Sequence, residues 1–134
     1  MAATFADVSE GVRATIAAYA QALDDGRSDD VVATFCSDGV LDMPGMGVHE
    51  GHDALRAAFS GWKPRGPQRH LVLNTLVTAW EDDAAQATSD VTVLAQQRDG
   101  SWAVQVVGRY RDTLHYDRDG ERWRFHRRVA EFVS

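Results

Sequence analysis

Between Gln68 and Asp82 the chain reads QRHLVLNTLVTAWED, a run of β-branched and aliphatic residues with His70 and Asn74 set into it. Such a run is a strand, and a strand turns successive side chains to opposite faces. Strict alternation puts His70, Val72, Asn74 and Leu76 on one side and Leu71, Leu73, Thr75 and Val77 on the other. Both sides are largely apolar, so both are expected to be covered. A histidine on a covered face needs a partner or a task, because an unpaired buried polar group costs about 1–3 kcal/mol.

The residues before this strand carry a helical period. Val12, Ile16, Tyr19 and Leu23 recur at spacings of four, three and four and form one apolar stripe. Ser9 is the expected cap, with Glu10 in the first turn, and Asp24-Asp25-Gly26 ends the helix. Ser28 is expected to cap a shorter helix, with Asp29 and Asp30 in its first turn and Val31, Val32 and Phe35 on its apolar side. Gly39–Met43 is a short strand, Pro44-Gly45-Met46-Gly47 a loop, and His52–Trp62 a third helix stopped by the Pro64–Pro67 region.

After the long strand the period is two. Strands are expected over roughly Ala84–Arg98, Ser101–Asp117 and Glu121–Val133, separated by Asp99-Gly100 and Asp119-Gly120, both hairpin signals. Three helices followed by an antiparallel meander make an α+β architecture, a curved sheet wrapped around helices. A cone of this kind encloses a cavity suited to a small molecule.

Composition narrows the function. The chain has 134 residues, 44% hydrophobic and 25% charged, the size and make-up of one globular domain over 1–134. A net charge of −6 argues against a nucleic-acid partner. Cys36 is the one cysteine, which favours a reduced, cytoplasmic setting. The N-terminal MAATFADVSEG has no secretory pattern, and no apolar run is long enough to cross a membrane.

The stretches IAAYAQALDDGRSDDVVATFCSDGVLDMPG, EGHDALRAAF, RHLVLN and GRYRDTLHYDRDGERWRFHRRV resemble the nuclear transport factor 2-like superfamily, in its SnoaL-like branch. The resemblance implies a cone-shaped α+β barrel. In activity that superfamily spans dehydratases, isomerases, cyclases, epoxide hydrolases and proteins without catalysis. Tyr19, Asp24 and His70 resemble the Tyr-Asp-His trio of bile-acid dehydratases, and Asp24 with His70 the pair of scytalone dehydratase. Asp42 aligns with the base of ketosteroid isomerases and Tyr19 with their oxyanion tyrosine, but Arg109 stands where they carry a second oxyanion acid. Asp90 falls near a second cavity histidine of scytalone dehydratase, and Met43 where that enzyme has a tyrosine. Asn74, Tyr110 and Asp112 are further candidates for polar cavity contacts.

The chemistry has a reason. An aspartate accepting from one ring nitrogen fixes the tautomer and basicity of an imidazole, and the other nitrogen is then free to take a proton alpha to a carbonyl. A tyrosine hydroxyl aimed at that carbonyl steadies the enolate. The expected activity is therefore a cofactor-independent lyase or isomerase of dehydratase type. Its substrate would be a hydrophobic carbonyl compound such as a polyketide, steroid or aromatic. His70, Asp24 and Tyr19 would be catalytic, with Asp42, Met43, Asn74, Asp90 and Tyr110 binding substrate. A ring-closing cyclase and a non-catalytic binding or assembly subunit are the alternatives.

Taken on residue type alone, the same positions have simpler readings. Tyr19 is an amphipathic core residue, Asp24 part of a solvated turn, and His70 a satisfied core histidine. Asp42, Asp90, Tyr110 and Asp112 serve as strand-end caps, hairpin pairs or sheet packing. His49 and His52 stand three apart, but glycine between them points to a turn and helix start, so no metal is expected. Arg122, Arg124, His126, Arg127 and Arg128, interleaved with Trp123 and Phe125, read as a solvated sheet face paired with acidic neighbours. A homodimer is expected, because the three helices can cover only one face of the long strands.

Overall fold

The computed structural model describes residues 2–133. In chain order the elements are α1 (Phe5–Asp24), α2 (Ser28–Ala33), β1 (Phe35–Met43), β2 (Gly47–Glu50), α3 (His52–Gly61), β3 (Gln68–Trp80), β4 (Ala84–Gln96), β5 (Trp102–Asp117) and β6 (Arg122–Val133). The strands form one sheet in the order β2-β1-β6-β5-β4-β3. β1 and β6 run parallel, and every other pair is antiparallel. The expected α+β architecture, helices held in a curved and mostly antiparallel sheet, is what the chain adopts.

Helix α1 begins one turn before the expected start. Thr4, not Ser9, is its cap: the Thr4 hydroxyl accepts the Asp7 N–H, and the Asp7 carboxylate accepts the Thr4 N–H. This reciprocal pair is a capping box, and it draws Val8 into the buried stripe ahead of Val12. Ser9 instead accepts from the Arg13 guanidinium. At the other end Gly26 takes a φ of 71°, the left-handed conformation that stops a helix, as the sequence suggests.

Two further boundaries differ. Arg27 is the cap of α2, with no side-chain cap bond, and Ser28 is already helical. Phe35 is the first residue of β1 rather than the last of α2, and Gly47 leaves the expected loop to open β2 against β1.

The concave face of the sheet carries Leu41 and Met43 of β1, Val91 of β4, Tyr110 and Leu114 of β5, and Phe125 of β6. Against it α1 lays Val12, Ile16 and Tyr19, and α3 lays Leu55 and Phe59. Helix and sheet come close at Gly11, where a Cβ would stand 2.4 Å from Cδ1 of Trp123. Alanine is worth up to about 1 kcal/mol over glycine in a helix, whereas overpacking costs about 1–3 kcal/mol, so the clash decides the sign. Gly11→Ala is expected to lower stability despite its better propensity. A urea midpoint at or above wild type would mean that Trp123 moves aside freely.

Register shifts break the strict alternation at several points, and two of them change the reading of a site. Asn74 has a φ of 56°, and the β3–β4 register shifts between Leu73 and Leu76. Asparagine tolerates this left-handed conformation better than other non-glycine residues. The face count from His70 is therefore wrong beyond Asn74: Thr75 and Val77 turn inward with His70 and Val72, while Leu76 turns outward. In β6 the shift falls at His126, since Thr113 pairs with Arg127 but Leu114 pairs with Phe125. It brings Arg128 inward and corrects the reading of that residue as solvated.

The convex face is left bare by the three helices, as expected for a single chain. Leu71, Leu73, Leu76, Val104 and Val107 lie exposed on it, so within one chain only one side of the long strands is covered. Among the described residues no helix is long and apolar enough to cross a membrane.

Candidate active site

Asp24 is the last residue of α1 and His70 the third of β3, and the fold brings them, 46 positions apart, into direct contact. The Asp24 Oδ1 lies 2.7 Å from His70 Nδ1. A carboxylate can only accept, so Nδ1 carries the hydrogen and the lone pair of a neutral ring is left on Nε2. Asp24 is held by two more donors: the His70 backbone N–H at 2.7 Å on Oδ2 and the Gln68 amide at 3.2 Å on Oδ1. Its side chain is only 4% exposed, against 13% for the imidazole. The carboxylate is a fixed, shielded anchor with the ring in front of it.

That ring borders a groove of about 350 Å³ between α1 and β3, lined also by Ile16, Ala20, Val72, Leu73 and Thr75. Arg13 closes one side through a 2.7 Å bond to the Thr75 carbonyl. A larger groove of about 860 Å³ lies along the N-terminal half of α1, by Trp123 and Arg122, and contains neither residue of the pair. The smaller groove matters more, because it is the one that the imidazole reaches.

Tyr19 stands one turn before Asp24 but is buried. Its ring meets Phe35, Phe59 and Phe125 edge-on, with centroids 5.7–6.1 Å away. Burial raises its pKa, against the opposing pull of Arg128, so the phenol keeps its proton. Tyr110 is buried in the same cluster and its pKa is raised chiefly by the same desolvation.

Between the two tyrosines sits a group that sequence reading placed in solvent. Arg128 is 0% exposed and grips Asp112 with Nε and Nη2, at 2.9 and 3.1 Å. Its guanidinium lies 3.6 Å from the Tyr110 ring centroid and 4.4 Å from that of Tyr19. Burial pushes the Asp112 carboxyl upward, while the carboxylate and the two rings hold Arg128 charged. Its Nη1 is buried without an acceptor. One sequence signal was present: neighbours in a strand face opposite ways, so of Arg127 and Arg128 one had to point inward.

The other expected substrate contacts lie elsewhere. Asp42 faces away from Leu41 and Met43 and pairs with Arg127 at 2.5 Å. Asp90 is on the convex face, bound by Arg109 at 2.8 Å and by the Asn74 amide at 2.9 Å, and both hold its carboxyl below the usual range. Asn74 is thereby committed to the bulge. Met43 is packed in the core. The structure therefore gathers Asp24 and His70, sets Tyr19, Tyr110, Asp112 and Arg128 in the adjoining interior, and leaves Asp42, Asn74 and Asp90 outside. His49 stacks edge-on against Trp62, and His52 bonds to the Phe35 carbonyl at 2.9 Å.

A family model described as the SnoaL-like domain matches residues 6–129. The chain belongs to this family. No curated protein matches this SnoaL-like chain. Among solved structures, a Catenulispora acidiphila protein in complex with S-DNPA is 28% identical, with a TM-score of 0.82 over 95% of this chain and 94% of that one. A candidate aromatic ring hydroxylase of Novosphingobium aromaticivorans is 26% identical, with a TM-score of 0.79 over 92% and 87%. A candidate scytalone dehydratase of the same organism, 19% identical and with a TM-score of 0.80 over 94% and 84%, shares the fold.

Proposed function

We propose that this SnoaL-like domain is a cofactor-independent lyase or isomerase of dehydratase type, acting on a small hydrophobic carbonyl compound. The observation that carries the reading is the 2.7 Å contact between Asp24 and His70 Nδ1, with His70 lining a largely apolar groove. In the reaction, Nε2 of His70 takes the proton alpha to the carbonyl, and the C–H electrons move into an enolate. Asp24 steadies the imidazolium that forms. The enolate then collapses, a carbon–carbon double bond forms, and the beta hydroxyl leaves as water with the proton returned by His70. Tyr19, the enolate donor that the resemblance implies, is buried in the aromatic core and does not line this groove, so the scheme rests on Asp24 and His70 alone. A groove of about 350 Å³ suits a substrate of one or two rings.

The test is a screen of beta-hydroxy ketones and related aromatic and polyketide-like compounds, read by mass spectrometry for loss of water. Turnover in a wild-type preparation, absent from heat-inactivated protein, supports the reading. A compound that binds in the groove and is never converted would favour a binding or assembly subunit instead. One observation gives that second reading its weight: the cone interior is occupied by the Arg128–Asp112 pair and its aromatic neighbours rather than by open space.

We further propose that two copies associate through the convex face. Leu71, Leu73, Leu76, Val104 and Val107 expose apolar surface there, and the charges among them cancel in pairs, Asp90 with Arg109 and Arg111 with Glu131. A two-fold interface must be complementary to itself, and a locally neutral apolar patch meets that demand although the chain carries −6 overall. Light scattering at micromolar concentration is expected to give twice the chain mass, and Val104→Asp to give the chain mass. A wild-type monomer would remove the proposal.

A further inference from the structure

The convex face holds a second cluster with chemistry of its own, on the opposite side of the sheet from Asp24 and His70. Cys36, His115 and His126 stand on the adjacent strands β1, β5 and β6, with β6 in the middle. The sulfur and one nitrogen of each ring lie within 4.8 Å of one another. Two irregularities in the sheet bring this about. The β1–β6 register shifts between Phe35 and Val40, and the β5–β6 register shifts at His126. Gly39 sits in the first of these, where a Cβ would meet the Cys36 and Phe125 carbonyl oxygens at 2.9 Å. Phe35, Leu114 and Phe125 go into the core, and their neighbours Cys36, His115 and His126 are left together on the outside.

The polar atoms of this cluster are poorly served by the protein. His126 Nδ1 is buried with no hydrogen-bond partner. Cys36 has one weak contact, its sulfur 3.8 Å from the Arg124 carbonyl. The two imidazoles stack at 4.3 Å with planes 16° apart, an arrangement in which neither ring satisfies the other. A buried ring nitrogen without a partner is rare enough to require a cause, and coordination would supply the partner that Nδ1 lacks.

We propose that Cys36, His115 and His126 form a binding site for a thiophilic divalent cation of the zinc class. One sulfur and two imidazole nitrogens are the donor set that borderline-soft ions select, whereas magnesium and calcium demand oxygen ligands. Three protein ligands leave a fourth position for water. The thiol proton of Cys36 passes to solvent as the metal–sulfur bond forms. His115 is exposed, so its ring is free to rotate out of the stack until both nitrogens aim at one point. An ion held there ties β1, β6 and β5 together across their bulges.

The test uses tag-free, chelator-treated full chain and Co²⁺ as a spectroscopic probe. One equivalent is expected to produce a thiolate-to-cobalt charge-transfer band and visible bands of tetrahedral intensity, both displaced by Zn²⁺. Cys36→Ser should lose the charge-transfer band, and His115→Ala, at an exposed position, should weaken binding at least tenfold while leaving the circular dichroism unchanged. Wild type gives an independent reading that needs no variant: Zn²⁺ should slow alkylation of Cys36, and addition of chelator should restore the rate. A chain that shows no saturable band, or a band that His115→Ala and His126→Gln leave untouched, overturns the proposal. So does an alkylation rate indifferent to Zn²⁺.

Discussion

His70→Ala is expected to reduce turnover of the true substrate by 10²–10⁴-fold, equivalent to about 3–5 kcal/mol of barrier, the usual contribution of a general acid–base group. Ligand affinity should change far less, since one hydrogen bond to a bound molecule is worth about 1 kcal/mol. The contrast separates catalysis from binding. Asp24→Asn should cause a smaller loss, because the amide still holds the ring and only tautomer control and basicity suffer. Gln68→Ala removes one of the three donors on Asp24 and should cost least of the three. Kinetics of the three variants on any substrate found by screening check this order. Equal losses in all three would mean that the Asp24 clamp acts by holding structure together, and unchanged turnover in His70→Ala would remove the ring from the mechanism.

The second large effect is on stability. Arg128→Met alone is expected to cost about 3–5 kcal/mol, because it leaves the Asp112 carboxylate buried with no counter-ion. Asp112→Leu alone strands the guanidinium and should be comparably severe. The double variant Arg128→Met with Asp112→Leu should recover much of the loss, since well-packed apolar groups often replace a buried ion pair at no cost. Urea denaturation of the four proteins measures the coupling directly. Additive losses would show that the pair interacts little and that each side chain matters for its packing on Tyr19 and Tyr110.

How much of this could be read beforehand varies with the distance over which each feature is determined. The stripe from Val12 to Leu23 and the two Asp-Gly turns are local, and the elements they announce are present. The capping box at Thr4 and Asp7 is local too, but a stripe that starts at Val12 points to Ser9 as the cap, and only Val8 extends it back to Thr4. Asp24 and His70 are far apart in sequence, and nothing in either segment announces the other; only the family resemblance joined them. Arg128 was misplaced because a single residue added at His126 inverts the face of everything after it. The same one-residue shift at Asn74 misassigned Leu76. A bulge is set by how two strands close on each other, and neither strand records it alone.

The parallel pairing of β1 with β6 bears on how this chain comes to be folded as it is made. β1 and β2 have no other long neighbour in the sheet, so the edge built by residues 35–50 has only helices to rest on, and no further strand to pair with, until β6 has left the ribosome. Until then Phe35, Leu41 and Met43 have one side open, and the helices have only part of their floor. The Asp42–Arg127 bond, which crosses 85 residues, belongs to the moment of closure. Such non-local closure is slow, and for seconds during synthesis the nascent chain is an apolar surface waiting for its last strand. A nascent chain stalled before Arg122 should therefore be captured by chaperones and cut by proteases, whereas one with β6 (Arg122–Val133) clear of the ribosome is protected.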